Sequence, residues 1–556
     1  MSSLTCLAAF PITALVAPLA AQEPELPGAA AAEAAITESF IMAHTRFLSD
    51  DLLAGRGPGT AGDRLAQGYL IAQFEALGLE PAAADGSWLQ PFELISITAD
   101  PAETLSLSSP GGETLALDYS EDWIATSGEQ APRTALDGAE VVFVGYGIEA
   151  PEVEWNDYKD ADVAGKVLLF LNSDPAAGDP AGDRFAGDTR LYYGRWTYKY
   201  ETAAEKGAAG AFIIHTTPSA GYPWQVVTSS WSGAQFELPR PADEPRVEVE
   251  GWFTEDAARR VVELAGRDLD ELVAAAQQAD FRPVPLGVTV DVAFTSAIDT
   301  TGTANVLARL PGADPARAGE HVLYTAHFDH LGVGAAADGD SIYNGARDNA
   351  LGTVSMLAIA RSFAALPEPP ARSVLFAAVG AEEQGLLGSQ YLAQHPPVPA
   401  CDLVANINLD GGNIWGRTTD VRQVGRGKST LDEWLDRFAA AQDREVFPEE
   451  FPDKGYFYRS DQFSLAKIGV PALYLDEGID FVGRPPGWGE EQVNAWLEEV
   501  YHQPSDEITP EWNLEGAAQD ARLLFQVGYA VADSPERPAW LPGDEFAAVR
   551  AACPTE

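Results

Sequence analysis

Two adjacent carboxylates, Glu382 and Glu383, stand just past the end of an apolar run. Val374–Val379 reads as a buried strand, Gly380 stops it, and Gln384-Gly385-Leu386-Leu387-Gly388-Ser389 opens a helix. Side by side in a cleft, two carboxylates repel, and one is driven toward a raised pKa. The pair makes chemical sense if one carboxylate binds a cation and the other handles protons. More ligands are then required, and other strand ends offer them. His327 follows the run His321–Ala326, with Asp329 two residues on. Asp348 lies in Asn344-Gly345-Ala346-Arg347-Asp348-Asn349, just before a long apolar helix from Leu351. Asp410 ends Val404–Leu409, and His502 sits in the late loop Tyr501-His502-Gln503-Pro504-Ser505-Asp506.

Taken singly, each has an ordinary explanation. A histidine at a strand end is usually an edge residue, Asp348 could cap a helix, and Asp410 before two glycines could be turn chemistry. Taken together, in order and at strand ends, the ordinary explanation needs five coincidences. Two imidazoles (His327, His502) and three carboxylates (Asp348, Glu383, Asp410) suit two zinc ions sharing one bridging carboxylate. Calcium would want more oxygen and no imidazole.

The elements that must position these groups alternate from Thr303 onward. Strands are expected at Val322–Ala326, Val374–Val379, Val404–Leu409 and Pro471–Leu475, with helices such as Leu351–Leu366 and Thr430–Gln442 between them. This is an α/β pattern with a mixed, largely parallel central sheet flanked by helices. In such sheets sites form at the carboxyl ends of strands, so three strands deliver His327, Glu382/Glu383 and Asp410 to one edge. Upstream, helical spacing runs through Ile41, His44, Phe47 and Leu48, and again from Leu65 to Leu77, around a Gly/Pro loop at 50–60. Between 97 and 295 the texture becomes strand-rich, punctuated by Ser, Gly and Pro. The expected organisation is a mobile segment at 22–34, a catalytic α/β unit at 35–96 and 296–532, an insertion at 97–295, and a loosely packed tail at 533–556.

The chain has 556 residues, 84 acidic against 35 basic, for a net charge of −49 with only seven lysines. So acidic a surface argues against nucleic acid and anionic membranes as partners. It fits a solvated surface suited to high salt and, equally, a lineage-wide bias. Residues 1–21 read as a secretory signal, lacking the usual positive start, which implies export to the periplasm or beyond. Pro11 and Pro18 interrupt that run, and nothing later is long enough for a membrane span. Too little apolar sequence precedes Cys6 for a lipid anchor. Cys401 and Cys553 remain after the signal, either as one disulfide or as two buried thiols.

The segments Thr325-Ala326-His327-Phe328-Asp329-His330-Leu331-Gly332, Asn344–Gly352, Ala381–Ser389, Asn408-Leu409-Asp410 and Tyr501–Asp506 resemble, in order, the M28 family of co-catalytic zinc peptidases, which includes bacterial aminopeptidases. The insertion, with Val144-Gly145-Tyr146-Gly147 and Lys206–Ala211, looks like the protease-associated domain that many such enzymes carry. The resemblance implies a zinc-dependent exopeptidase fold, two zinc ions per chain, and peptides with a free N-terminus as substrates. It implies that His327, Asp348 and Asp410 hold one zinc, and that Asp348, Glu383 and His502 hold the other. Glu382 would be the general base, and Asp329 would accept the proton on the far nitrogen of His327. A cis peptide after Asp348 is also implied. Tyr458 is a candidate donor to the tetrahedral oxyanion, with packing beside Phe457 as the competing fate. Two departures stand out. Arg347 replaces an acidic residue, expected to alter surface charge near the site, and Gln462 replaces a histidine. Trp196, Tyr198 and Trp224 are candidates to face the cleft from the insertion. A glutaminyl cyclase needs only one zinc, a carboxypeptidase needs a basic pocket for which Arg347 and Arg459 are the candidates, and a non-catalytic receptor would lose ligands that this chain keeps.

Overall fold

The computed structural model describes residues 26–553 apart from 102, 103, 176–183, 188 and 242. The expected signal segment at 1–21 lies outside the described residues. Among those described, no helix is long and apolar enough to cross a membrane.

Six strands carry the architecture that matters for the site. β1 (Leu89–Pro101) and β2 (Val284–Leu310) form a long antiparallel ribbon, in register from Leu89 opposite Val306 to Pro101 opposite Phe294. β3 (His321–His327), β4 (Ser373–Val379), β5 (Leu403–Asn408) and β6 (Ala472–Asp476) make the parallel centre of the sheet. β3 lies between β4 and β5, β6 pairs with β5, and the end of β2 closes the other side antiparallel to β4. Beyond β6, Asp420–Val424 adds an antiparallel strand and Glu445–Pro448 another. The sheet is therefore mixed with a parallel centre, as the alternating pattern predicts.

The central strands are apolar because both their faces are covered. Every residue of β3, β4 and β5 is buried, the burial expected of a parallel sheet with helices on both sides. α1 (Gly352–Ala364) and α2 (Glu515–Asp533) cover one face, with the rings of Phe363 and Phe525 4.9 Å apart. α2 approaches β3 so closely that the Tyr324 hydroxyl donates to Leu524 O at 2.8 Å. Any Cβ on Gly528 would lie 1.7 Å from that hydroxyl oxygen, so only glycine fits.

Among the described residues, two hydrophobic clusters are the largest. One gathers residues from Ala29 to Leu79 and from Val306 to Ala532, and a second gathers residues between Leu105 and Phe294. The expected boundaries at 96/97 and 295/296 fall inside the β1–β2 ribbon rather than in a linker. β2 shows why the sequence hides this. Its first half alternates buried and exposed while pairing with Arg133–Phe143, and its last part, Thr303–Ala308, is buried throughout. The strand runs unbroken from one core into the other. Arg190 also ties the insertion to the catalytic unit, donating from Nε to Asp453 O at 2.8 Å and from its backbone to Pro452 O at 3.0 Å.

Two expectations need correction. Residues 29–33, placed in a mobile segment, form a short helix with Ala29 and Ala32 buried against the core. The tail is not loose: Trp540 and Phe546 are buried, and Lys428 pairs with Asp544 and Glu545, both at 2.8 Å. Cys553 closes a disulfide with Cys401, across 152 residues of sequence. Apolar aromatics and a covalent tie outweigh the tail's proline content.

Candidate metal centre

The carboxyl ends of β3, β4 and β5 meet at one place. His327 ends β3, Glu382 and Glu383 follow β4, and Asp410 follows β5. Asp348 comes from the turn before α1, where the Asp348–Asn349 peptide is cis. His502 comes from the loop ahead of α2 with a left-handed backbone, φ 58°. Ala381, next to Glu382, is also left-handed at φ 58°. Such conformations in residues with a Cβ persist where the surroundings over-determine them.

The donor atoms converge. His327 Nε2 lies 3.1 Å from Asp410 Oδ1, 3.4 Å from Asp348 Oδ1 and 3.9 Å from Glu382 Oε2. His502 Nε2 lies 3.1 Å from Asp348 Oδ2 and 3.1 Å from Glu383 Oε2. Asp348 thus faces one imidazole with each oxygen. The triads His327–Asp348–Glu383 and His327–Glu382–Asp410 each offer donor atoms within 4.8 Å of one another.

Asp348, Glu382 and Glu383 are each shifted from the ordinary carboxylate range. Burial would raise Asp348, but hydrogen bonds with His327 and His502 outweigh it and hold the carboxyl well below its usual range. Burial and the Asp348 charge would likewise raise Glu383, yet His330 and His502 bring it down to about 2. Glu382 goes the other way: burial first, then the charges of Glu383 and Asp410, push it well above the ordinary range despite His327. The pKa values of the two adjacent glutamates are driven apart.

A frame of less obvious residues holds the ligands. The Asp506 carboxylate accepts the backbone N–H groups of Arg347 and Asp348, both at 3.0 Å. Asn349 accepts from Gly352 and Gly411 and donates to Leu409 O at 3.0 Å. Ser460 Oγ donates to Asp410 Oδ2 at 2.6 Å, and His330 Nδ1 meets Glu383 Oε1 at 2.6 Å. Arg56, buried in the Gly/Pro loop, donates to Leu48 O at 2.5 Å, Phe328 O and Asn344 O at 2.6 Å, and Gly345 O at 2.9 Å. Sequence reasoning passed over Arg56, Asp506, Asn349, Ser460 and His330. The signal for Arg56 was an arginine flanked by glycines on both sides.

Other expectations fail here. Tyr458 is not in the site: its hydroxyl donates to Glu545 Oε1 at 2.5 Å, and its ring packs in a cluster with Phe457, Phe463 and Phe546. The tail that was expected to be loose supplies the partner that turns it away. Asp329 does not hydrogen-bond to His327, whose Nδ1 is 3.8 Å from Asp329 Oδ1 and has no partner. Asp329 instead accepts the backbone N–H of Glu382 at 3.1 Å and of Glu383 at 3.4 Å. Arg347 adds no surface charge: it is buried, ion-paired with Glu477, and stacked 4.0 Å from the Trp496 ring. Gln462 is structural, donating to Phe457 O and accepting from Asn408. Trp196 packs on Tyr200 and Trp231, Glu149 N donates to the Tyr198 hydroxyl at 3.1 Å, and Trp224 donates to Ser120 O.

A cavity of about 570 Å³ opens over the donors. Tyr474, Trp496, Tyr501 and Arg459 line it from the catalytic unit, and Gly221, Tyr222 and Val226 line it from the insertion. Tyr501 stacks on His502 with ring centroids 3.8 Å apart. Burial, then the charges of Asp348 and Glu383, push the pKa of its hydroxyl well above the ordinary value.

Residues 305–525 match the family described as Peptidase family M28. Leupeptin-inactivating enzyme 1 of Streptomyces exfoliatus is 26% identical over 242 residues, 43% of this chain and 49% of that one. Aminopeptidase YwaD of Bacillus subtilis (strain 168) is 28% identical over 207 residues, 34% of this chain and 36% of that one. The matched stretches thus span half or less of these curated relatives. Among solved structures, an aminopeptidase from Aneurinibacillus sp. strain AM-1 superimposes with a TM-score of 0.48 at 19% identity, covering 92% of this chain and 97% of its own. The matched residues 305–525 carry every candidate metal donor described above.

Proposed function

We propose that this chain is an exported di-zinc aminopeptidase that removes N-terminal residues from peptides. One observation carries the reading: Asp348 faces His327 with one oxygen and His502 with the other, with Asp410, Glu383 and Glu382 around them. The donor set fits zinc. Two imidazoles with crowded carboxylates are a borderline-soft site, and the buried negative charge calls for cations in compensation. His327, Asp348 and Asp410 would hold one ion, and Asp348, Glu383 and His502 the other.

Bound there, zinc supplies Lewis-acid polarisation of the scissile carbonyl and eases deprotonation of the attacking water. The chain's own groups do the rest. Glu382 takes the proton of the attacking water and returns it to the leaving amine. Tyr501, stacked on His502 and lining the cavity, is placed to donate a hydrogen bond to the oxyanion in the role first assigned to Tyr458. Asp329 holds the Glu382–Glu383 backbone, so its part is to position the base. The strand-rich insertion, read as a protease-associated domain, walls the cavity through Tyr222 and Val226 and limits access to short peptides.

Metal content per purified chain, measured together with release of a chromogenic group from a panel of amino-acid amides, tests this. Two zinc ions per chain and chelator-sensitive release from free-amine substrates are expected. One zinc with cyclisation of N-terminal glutamine would replace the reading with a cyclase, and no zinc would overturn it.

A further inference from the structure

Three arginines line the catalytic cavity, and two are already neutralised. Arg347 pairs with Glu477, and Arg422 lies 3.4 Å from Asp420 and 3.6 Å from Glu450. The third, Arg459, has no carboxylate partner among the described residues. Its guanidinium rests 5.1 Å from the Tyr456 ring and is exposed to the cavity. A second cation stands behind it. Arg195, on the insertion, makes no side-chain hydrogen bond or ion pair among the described residues, and its Nε is sealed from solvent with no partner among them. Arg190, Arg195 and Arg459 lie close enough for their charges to act on one another. Tyr222, itself a cavity residue, sits within the field of all three.

In a chain with 84 acidic and 35 basic residues, unpaired arginines pressed together at a cavity wall are a costly arrangement. Asp174 and Asp453 act on Arg190, but among the described residues no carboxylate pairs with Arg459 or Arg195. The geometry points to an anion from outside: we propose that Arg459, backed by Arg195, binds the C-terminal carboxylate of a short peptide whose N-terminal residue is being removed. The inference rests on the aminopeptidase reading above and narrows it to di- and tripeptides.

Reach supports the assignment. Arg459 is the neighbour of Ser460, whose hydroxyl donates to the ligand candidate Asp410. A carboxylate one or two residues past the scissile carbonyl lies about 3.5–7 Å further along an extended chain, which an arginine side chain starting one residue from Ser460 can meet. Guanidinium matches a carboxylate with two parallel hydrogen bonds. The cavity, about 570 Å³, falls within the range of small-ligand sites, about 300–1,000 Å³. The interface frame is firm as well: Arg190 is anchored to Asp453 O and Ser219 O and packs beside Gly455, four residues before Arg459.

The test uses zinc-loaded, full-length Glu382→Gln protein, so that binding is read without turnover. Calorimetry compares Leu-Gly-Gly, its C-terminal amide, and Leu-Gly-Glu amide. The free acid should bind about tenfold or more tightly than either amide. Adding Arg459→Gln should collapse that ratio toward one, and Arg459→Lys should restore part of it. Equal binding of acid and amide, or a ratio that survives Arg459→Gln, overturns the inference. Leu-Gly-Glu amide binding as well as the free acid would overturn the C-terminal assignment in favour of an acidic side chain. The wild-type enzyme, given the same peptides, separates the two readings. Release of leucine from the amide at the same kcat/KM as from the acid would leave the aminopeptidase standing and sink the clamp. Release of the C-terminal glycine first would sink the aminopeptidase while a binding ratio held by Arg459 keeps the carboxylate site.

Discussion

Replacing Arg56 tests how the site is held. Its guanidinium donates to four carbonyls in three separate segments: Leu48 at the end of a helix, Phe328 between His327 and Asp329, and Asn344-Gly345 ahead of Asp348. Arg56 is 1% exposed, so no solvent waits to replace it. The charge also lies within the field of Asp329, Asp506, Asp348 and Glu383, which raise its pKa against the larger effect of burial that lowers it to about 10. In Arg56→Met four carbonyls lose their donor at about 1 kcal/mol each, the low end for groups left unsatisfied, giving about 4 kcal/mol. Arg56→Lys keeps the charge but cannot fan toward three segments at once, and should lose about half as much. With a slope near the top of the small-protein range, about 3 kcal/mol/M, urea midpoints should fall by about 1.3 M and 0.7 M respectively. Because two of those segments carry ligand candidates, zinc affinity by competition with a chromogenic chelator should weaken about 10–100-fold in Arg56→Met. A midpoint shift below about 0.3 M with unchanged zinc affinity would refute the idea that this arginine sets the loops.

Other expectations follow from single features. Glu382→Gln should retain zinc while kcat falls by about 10²-fold or more; near-normal turnover by the chromogenic assay would remove Glu382 from its role. Tyr458→Phe should lower stability by about 1–2 kcal/mol through the lost bond to Glu545 and leave kcat alone, whereas a large fall in kcat would return Tyr458 to the site. His321 is 3% exposed with both ring nitrogens unpartnered, and burial, then Arg309, lowers its pKa to about 4 from 6.5. The unfolded chain therefore binds a proton that the folded one refuses. Stability should fall as pH drops from about 6.5 to about 4, by about 3 kcal/mol in total. Chemical denaturation of His321→Leu across that window should show the slope reduced; an unchanged slope would refute it. The disulfide closes a loop of 152 residues. The double change Cys401→Ser, Cys553→Ser should cost up to about 5 kcal/mol on the chain-entropy account, read as a lower thermal midpoint that reductant no longer shifts.

What the sequence determined is what short range can encode. Runs such as Val374–Val379 are apolar throughout because both sheet faces are covered, so strand, direction and the residue at the carboxyl end could be read together. That placed His327, Glu382, Glu383 and Asp410 at one edge, and the motif order added Asp348 and His502. What the tertiary structure decided is where polar groups of distant segments find partners. Asp506 holds Arg347 and Asp348 across roughly 160 residues of chain, and Arg56 reaches Phe328 and Asn344 across more than 270. Tyr458 turns away because Glu545, from a tail with weak periodicity, accepts its hydroxyl. The expected boundaries at 96/97 and 295/296 carry the same lesson. A change of texture at 97 and 295 marks where the burial pattern changes, not where the backbone breaks, and the β1–β2 ribbon carries one sheet through both boundaries. Periodicity reports which face of a strand is covered. Which element covers it, and which charge meets which, is fixed only when the whole chain has packed.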